Sequence, residues 1–464
     1  MVKETKTKII ASLGPSSSSF EVILRLAEAG ASGFRINFAH GSHDLWSSIV
    51  SNIMKVEESL GRPLTLIGDL RGPSIRLGEL DKPIQLKKGD RVKIVLGDKG
   101  LADKREIPLP IKEVYDGLDV GDVIMMDDGR AKLEVIDIAS GYVELMALTD
   151  TVIKSEKTLA VVNKDFDLPT LTDKDLADLK FALEHDFDYI GLSYVKTPMD
   201  IESLRSIMKR WGHEEVKIIA KIETKLAIEN LEGIIDAADV VLVARGDLGM
   251  ILGLEKVPHL QRFIVDKAIE MEKPVIIATQ LLESMIESPV PTRAEVVDVN
   301  TAISEGVDAL MLTGETAIGK YPVETVRWLR RIIKAAEENI CITRRRTPRS
   351  LWASFTKGVT SLAEDLHAKL MIYSVHGNTA RLTSLLRPTI DFYVGTPNIK
   401  VLKQINILWG VKGYLVKASS YDEGLEETFK LLKRLNEIRL GDLVVLTYGL
   451  RGDEQVIRVK RVEG

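Results

Sequence analysis

The chain has 464 residues, 45% of them hydrophobic and 28% charged, with 63 Lys and Arg against 68 Asp and Glu for a formal net charge of −5. That length suggests about three domains rather than one, the composition excludes disorder, and the lack of a basic surplus speaks against a nucleic-acid partner. The single cysteine, Cys341, permits no intrachain disulfide, and no apolar run reaches the ~18 residues of a membrane span, so a cytoplasmic protein without a membrane partner is expected.

In chain order, short β-branched runs ending in polar residues alternate with amphipathic helix patterns. The runs are 8–14, 33–39, 64–70, 187–193, 216–223, 238–247, 273–280 and 307–315. Near-continuous apolar runs of this kind suit parallel strands buried on both faces. Between them, Thr172 opens a helix that spaces Leu176, Leu179 and Leu183 on one face. The pattern predicts a closed (β/α)8 TIM barrel, in which reacting groups sit at the C-terminal strand ends. Those ends carry Ser12, Arg35, Asn37, Asp69, Ser193, Lys221, Glu223, Asp247, Thr279, Thr313 and Glu315.

The stretch after the third strand is too long for a bare loop, and it alternates like strands between Gly-Asp turns. It is expected to be a small all-β domain, 71–160, inserted at the mouth of a barrel formed by 1–70 and 161–342, and placed to act as a lid. The basic run Arg344-Arg345-Arg346 marks a junction to a C-terminal α/β domain, 343–464, with strand-like runs at 370–375, 390–394, 413–416 and 443–447.

Lys221 and Glu223, two apart on a strand, face the same way, and Asp247 follows the next strand between two glycines. Two carboxylates on neighbouring strands offer hard oxygens to Mg2+ or Mn2+; the alternative is a buried Lys–carboxylate salt bridge. Arg35 and Arg76 suit phosphate oxygens, and Lys221 suits charge on a phosphoryl group in transfer. The residues alone lead to metal-assisted chemistry on a small phosphorylated acid.

The motifs go further. TKIIASLGPSS from Thr7, GFRINFAHG from Gly33, IAKIE from Ile219, VARGDLG from Val243, PVIIATQLLESMI from Pro274, PTRAE from Pro291 and MLTGETA from Met311 closely resemble pyruvate kinase signatures, in that family's order. The resemblance implies transfer of the phosphoryl group of phosphoenolpyruvate to ADP. It implies that Glu223 and Asp247 hold the divalent ion, Lys221 supports transfer, Arg35 grips phosphate, and Thr279 lies near the enolate. The amides of Gly246 and Asp247 would receive the substrate carboxylate. Pro15, Asn37, His40 and Arg76 match positions around the nucleotide, with Lys157 and Asp128 as looser matches.

The family's potassium site aligns with Asn37, Ala39, Asp69 and Leu70, and its accompanying acid with Ser74. Two side-chain oxygens are therefore missing, and activity without K+ is expected. Ser374, Gly377 and Thr379 sit where many members bind an effector phosphate, but Val375 and Asn378 stand where basic residues are common. A different phosphorylated effector, a vestigial site and an ordinary turn all remain open. A homotetramer is implied by the resemblance alone. The rival readings are another metal-dependent barrel enzyme handling phosphoenolpyruvate or pyruvate, and a non-catalytic metabolite sensor.

Overall fold

The computed structural model describes residues 5–126, 129–339, 347–451 and 454–463. Asp128, Cys341 and the basic run 344–346 lie outside them. Eight parallel strands, Lys8–Leu13, Ala31–Asn37, Thr65–Asp69, Tyr189–Leu192, Lys217–Ile222, Val240–Ala244, Val275–Ala278 and Ala309–Leu312, close into a barrel. Alternate side chains decide the two layers. Ile10, Ile67, Ile219, Leu242, Ile276 and Met311 fill the axis, whereas Ile9, Phe34, Ile218 and Val243 face the surrounding helices. Thr172 caps the helix Asp173–Glu184 in a reciprocal capping box with Asp175, as its position predicts.

Every expected barrel strand is present, but two of the apolar runs continue into helix. Residues 245–247, expected as strand, open the helix Arg245–Leu252, and Glu315 lies in the short helix Gly314–Ala317. Apolar continuity cannot separate a buried strand from a buried helix start, because both hide the same side chains.

The insertion forms a six-stranded sheet in the order Leu159–Val161, Val123–Met126, Ala131–Ala139, Tyr142–Ala147, Arg91–Leu96, Glu106–Leu109. Leu133, Leu145, Ile94 and Ile107 build its own core. Its two connections to the barrel run side by side: Arg76 pairs with Thr158, Leu159 N donates to Ile75 O at 2.9 Å, and Leu77 N donates to Lys157 O at 3.0 Å. The C-terminal sheet runs Val411–Leu415, Phe392–Thr396, Lys369–Tyr373, Leu443–Arg451, Glu454–Arg461, parallel except for its last pair. That last strand went unread in the sequence, because Arg458, Lys460 and Arg461 interrupt its apolar positions.

The third region also closes the barrel floor. Ile407, 1% exposed, joins the axial cluster of Ile10, Ile67 and Ile219 from below. Tyr189 Oη donates to Gln404 O at 2.8 Å and Thr65 Oγ1 to Lys403 O at 2.6 Å. Arg387 forks onto Asp308 with bonds of 2.7 and 2.8 Å, both side chains being fully buried. Such a pair is expensive to break from one side, since the other charge would stay buried alone.

Asp188, at the same floor, accepts Leu66 N–H at 2.8 Å and faces Lys400 at 3.4 Å. Burial pushes its carboxyl up to about 6, against the pull of Lys400, the Leu66 amide and Lys403. A raised carboxyl favours the folded state most below its unfolded value, and that contribution is lost as pH rises through 6. The stability of the unaltered chain minus that of Asp188→Asn should therefore fall between pH 4 and pH 7, by about 3 kcal/mol. Urea unfolding of both proteins across that range measures the slope; a flat difference would contradict the assignment.

Candidate active site

Six of the strand-end residues form one connected cluster at the barrel mouth. Arg35 donates to Ser12 Oγ at 3.1 Å and, through Nε, to Asp69 Oδ2 at 2.9 Å. Lys221 Nζ donates to Ser193 Oγ at 2.7 Å, and Ser193 in turn donates to Leu70 O at 2.7 Å. The same ammonium lies 3.6 Å from Asp69 Oδ1 and 3.4 Å from Glu223 Oε2. Asp69 fits because position 191 is glycine: a Cβ there would stand 2.8 Å from Asp69 Oδ1.

Electrostatics fix the protonation states. Burial would raise Asp69, but Lys221 and Arg35 hold it below the usual carboxylate range. Burial would lower Lys221, yet Asp69, Glu223 and Asp247 together hold it above the usual lysine value. Glu223 goes the other way: burial, with Asp247 and Asp69 adding, pushes it up to about 7 against the pull of Lys221 and the Tyr194 amide. The cluster thus sets two cations, Arg35 and Lys221, against three carboxyls, Asp69, Glu223 and the half-buried Asp247, an excess of acidic groups in which burial makes Glu223 hard to ionise.

That excess is what a cation would balance. Glu223 Oε1 accepts Tyr194 N–H at 2.6 Å, whereas its buried Oε2 accepts no hydrogen bond. Among the described residues no three His, Cys, Asp or Glu side chains gather to enclose a metal. Two carboxylates with an open remainder suit Mg2+ or Mn2+, which keep water and substrate oxygens in their shells. Of the two sequence alternatives, the buried Lys–carboxylate pair is present, with Lys221 Nζ 3.4 Å from the same Glu223 Oε2.

The turn after the sixth strand differs from expectation. Gly246 and Gly249 lie in helix with ordinary negative φ, and the left-handed residues are Thr279 and Gln280, at φ 70° and 52°. Arg245 holds them there. Its Nε and Nη2 donate to Thr279 O at 3.1 and 2.8 Å, Nη2 donates to Gln280 O at 2.7 Å, and Nη1 reaches Asp298 at 2.7 Å. Gly246 N–H donates to Thr279 Oγ1 at 2.8 Å, so one of the two amides expected to meet a substrate carboxylate is engaged by a hydroxyl here. Arg245 went unread because a buried arginine acting through backbone carbonyls leaves no pattern beyond its own letter.

Of the nucleotide candidates, Asp128 lies outside the described residues and the others within them. Burial, then Arg76, Arg35 and Arg71, lowers His40 below the ordinary imidazole value, which draws these cations into one field. Arg71, missed in the sequence, adds to the positive charge two residues beyond Asp69. Arg76 Nη1 donates to Glu156 O at 3.1 Å, and its buried Nε has no partner. Lys157 is brought beside Arg76 by the pairing of the two connections. Pro15 is exposed in the turn after the first strand, and Asn37 Oδ1 accepts Ala39 N–H at 3.0 Å.

At the monovalent positions, Leu70 is buried and Asp69 already faces two cations. In the last domain, Ser374 Oγ accepts Gly377 N–H at 3.1 Å, and Gly377 turns at φ 78° into the helix Asn378–Leu385. Thr379 is the second residue of that helix, close enough to Gly449 that a Cβ there would stand 2.5 Å from its hydroxyl.

Known proteins match this architecture along its length. The family description "Pyruvate kinase, barrel domain" matches residues 4–326, and "Pyruvate kinase, alpha/beta domain" matches 354–459. The chain belongs to the pyruvate kinase family. It is thereby a member of a family of phosphotransferases. The chain is 38% identical to a pyruvate kinase of Pyrobaculum aerophilum over 98% of its own length and 96% of the relative's. It is 35% identical to one of Aeropyrum pernix, over 98% and 99%. The crystal structure of the Pyrobaculum aerophilum enzyme superposes with a TM-score of 0.89 over 99% of this chain and 100% of that one. A pyruvate kinase structure from Cryptosporidium parvum, 30% identical, gives 0.91 over 98% and 96%.

Arg245→Lys tests the clamp on Thr279. A lysine cannot hold both carbonyls and Asp298 at once. The variant should lose about 2 kcal/mol of stability and more than tenfold in turnover, measured by denaturant unfolding and steady-state kinetics.

Proposed function

We propose that this chain transfers the phosphoryl group of phosphoenolpyruvate to ADP, giving ATP and pyruvate. The observation that carries the reading is the Lys221 ammonium 3.4 Å from a buried Glu223 oxygen that accepts no hydrogen bond, with Arg35 in the same cluster. Glu223 and Asp247 would hold Mg2+ or Mn2+, which supplies positive charge to the phosphate and carboxylate oxygens of the substrate. Without it, each pairing of a phosphate charge with a carboxylate about 4 Å away would cost about 4 kcal/mol at an effective dielectric near 20.

The chain's own residues do the rest. Arg35 and Lys221 bind the phosphoryl oxygens, and Lys221 meets the charge that spreads over them as the bond to the enol oxygen breaks. A β-phosphate oxygen of ADP forms the new bond, the nucleotide being held by Pro15, Asn37, His40, Arg76 and Lys157; Asp128, also expected to meet it, lies outside the described residues. The enolate left behind takes a proton at its methylene carbon, through water beside the Thr279 hydroxyl. The substrate carboxylate goes to the Asp247 amide, and to that of Gly246 once the Thr279 hydroxyl turns away.

The domain limits, 1–70 with 161–342 for the barrel, 71–160 for the insertion and 343–464 for the last domain, belong to this reading. So does closure of the insertion as a lid over bound substrates, which X-ray scattering with and without them would register as a smaller radius of gyration. Work without K+ follows from Ala39, Leu70 and Ser74 and from Asp69 being balanced by Arg35 and Lys221 already. A cytoplasmic location rests on the single cysteine and the short apolar runs, whereas a homotetramer and a phosphorylated effector at Ser374, Gly377 and Thr379 rest on resemblance; among the described residues no helix is long and apolar enough to cross a membrane.

Pyruvate formation from phosphoenolpyruvate, ADP and Mg2+, coupled to NADH oxidation, tests the activity. Lys221→Met should remain folded and lose about a hundredfold or more in turnover; near-normal turnover would refute its role. The same assay in K+-free buffer should run at the full rate, and strong activation by added K+ would overturn that part.

A further inference from the structure

One residue in the cluster has no part in the reaction above, yet it joins two of its elements. Tyr194 follows Ser193 and adopts φ 54°, the left-handed region that bulky residues avoid. Its neighbours hold it there. Ser193 is fixed by Lys221 and Leu70 O, and Thr224 Oγ1 donates to Val195 O at 2.9 Å. The backbone N–H of Tyr194 thereby points at Glu223 Oε1, 2.6 Å away.

The side chain leads elsewhere. Its ring lies under the first connection to the insertion: a Cβ at Gly72, itself at φ 66°, would stand 3.0 Å from Tyr194 Cδ2. Burial, with Asp247 and Glu223 near, pushes the phenol up, while Ser74 and Arg76, both in that connection, pull it down. Tyr194 therefore touches a metal-ligand candidate with its main chain and the hinge of the insertion with its side chain.

We propose that Tyr194 is a positioning residue that holds Glu223 aimed for the divalent ion and ties that aim to the position of the inserted domain. The inference rests on the metal assignment above. An unbonded Glu223 carboxylate could rotate, and the backbone bond removes that freedom before a cation arrives. Because residue 194 is strained and packed against Gly72, movement of the connection must slide across the ring, and the peptide it anchors moves with it. The inserted domain thus acts on the metal position without contributing a ligand.

Direct Mn2+ titration of the full chain without nucleotide, followed by electron paramagnetic resonance, reads this apart from turnover. Tyr194→Ala should bind Mn2+ about tenfold more weakly, because the ring no longer holds the peptide. Tyr194→Phe should keep Mn2+ affinity and kcat while KM for ADP rises about threefold, since only the link to Ser74 and Arg76 is lost. Gly72→Ala, which presses on the same ring from the hinge side, should weaken Mn2+ binding with Tyr194 intact, and it carries the test if the alanine variant at 194 does not fold. Unaltered Mn2+ affinity in Tyr194→Ala or Gly72→Ala, beside lost binding in Glu223→Gln, would overturn this inference and leave the metal assignment standing. Unaltered binding in Glu223→Gln would overturn both.

Discussion

The ammonium of Lys221 and the carboxylates around it are held in a space where water cannot dissipate their charge. Each choice nearby follows from that constraint. Asp69 needs Arg35 as a second cation, Arg35 needs Ser12 to satisfy a further donor, and Ser193 passes the bond from Lys221 on to Leu70 O. The arrangement stops short of neutrality at Glu223, whose carboxyl is carried up to about 7 by burial and its acidic neighbours. A buried group kept short of its counter-charge costs stability, and such costs are characteristic of sites that wait for a ligand.

The backbone carries a second share of the same cost. Tyr194, Thr279 and Gln280 all lie in left-handed conformations at the mouth, each fixed by polar contacts that would be hard to justify for the fold alone. Arg245 spends its donating edge on two backbone carbonyls, Asp298 and Gln261. Positions of this kind turn side chains that could sit in many rotamers into a prearranged set, which is how a rigid scaffold shortens the path to a transition state.

The eight-strand pattern was legible because a strand buried on both faces can only be apolar, and because its exits are polar where a mouth must be. Lys221 and Glu223 were legible for the same reason, as charges two apart at the end of such a run. The helix that starts at Arg245 was not, since a buried helix turn writes the same letters as a buried strand. Arg71, Arg245 and Tyr194 were missed because their importance lies in what they touch across the fold. The closing strand Glu454–Arg461 was hidden by its charges, which an edge strand tolerates on its open side. The insertion was visible as a break in rhythm, whereas the side-by-side pairing of its two connections needed coordinates.

Ile407 reaches into the barrel axis from a region that begins long after the last barrel strand. A barrel of this kind ordinarily completes its own interior with its own side chains. Here the lowest layer is borrowed, and Arg387 supplies the counter-charge for Asp308 at the same level. The catalytic portion and the tail are consequently not interchangeable modules: a chain shortened before residue 387 would leave a hole in the axis and an aspartate with no cation. Exchange of the tail between relatives can succeed only where the residues that enter the floor are exchanged along with what receives them.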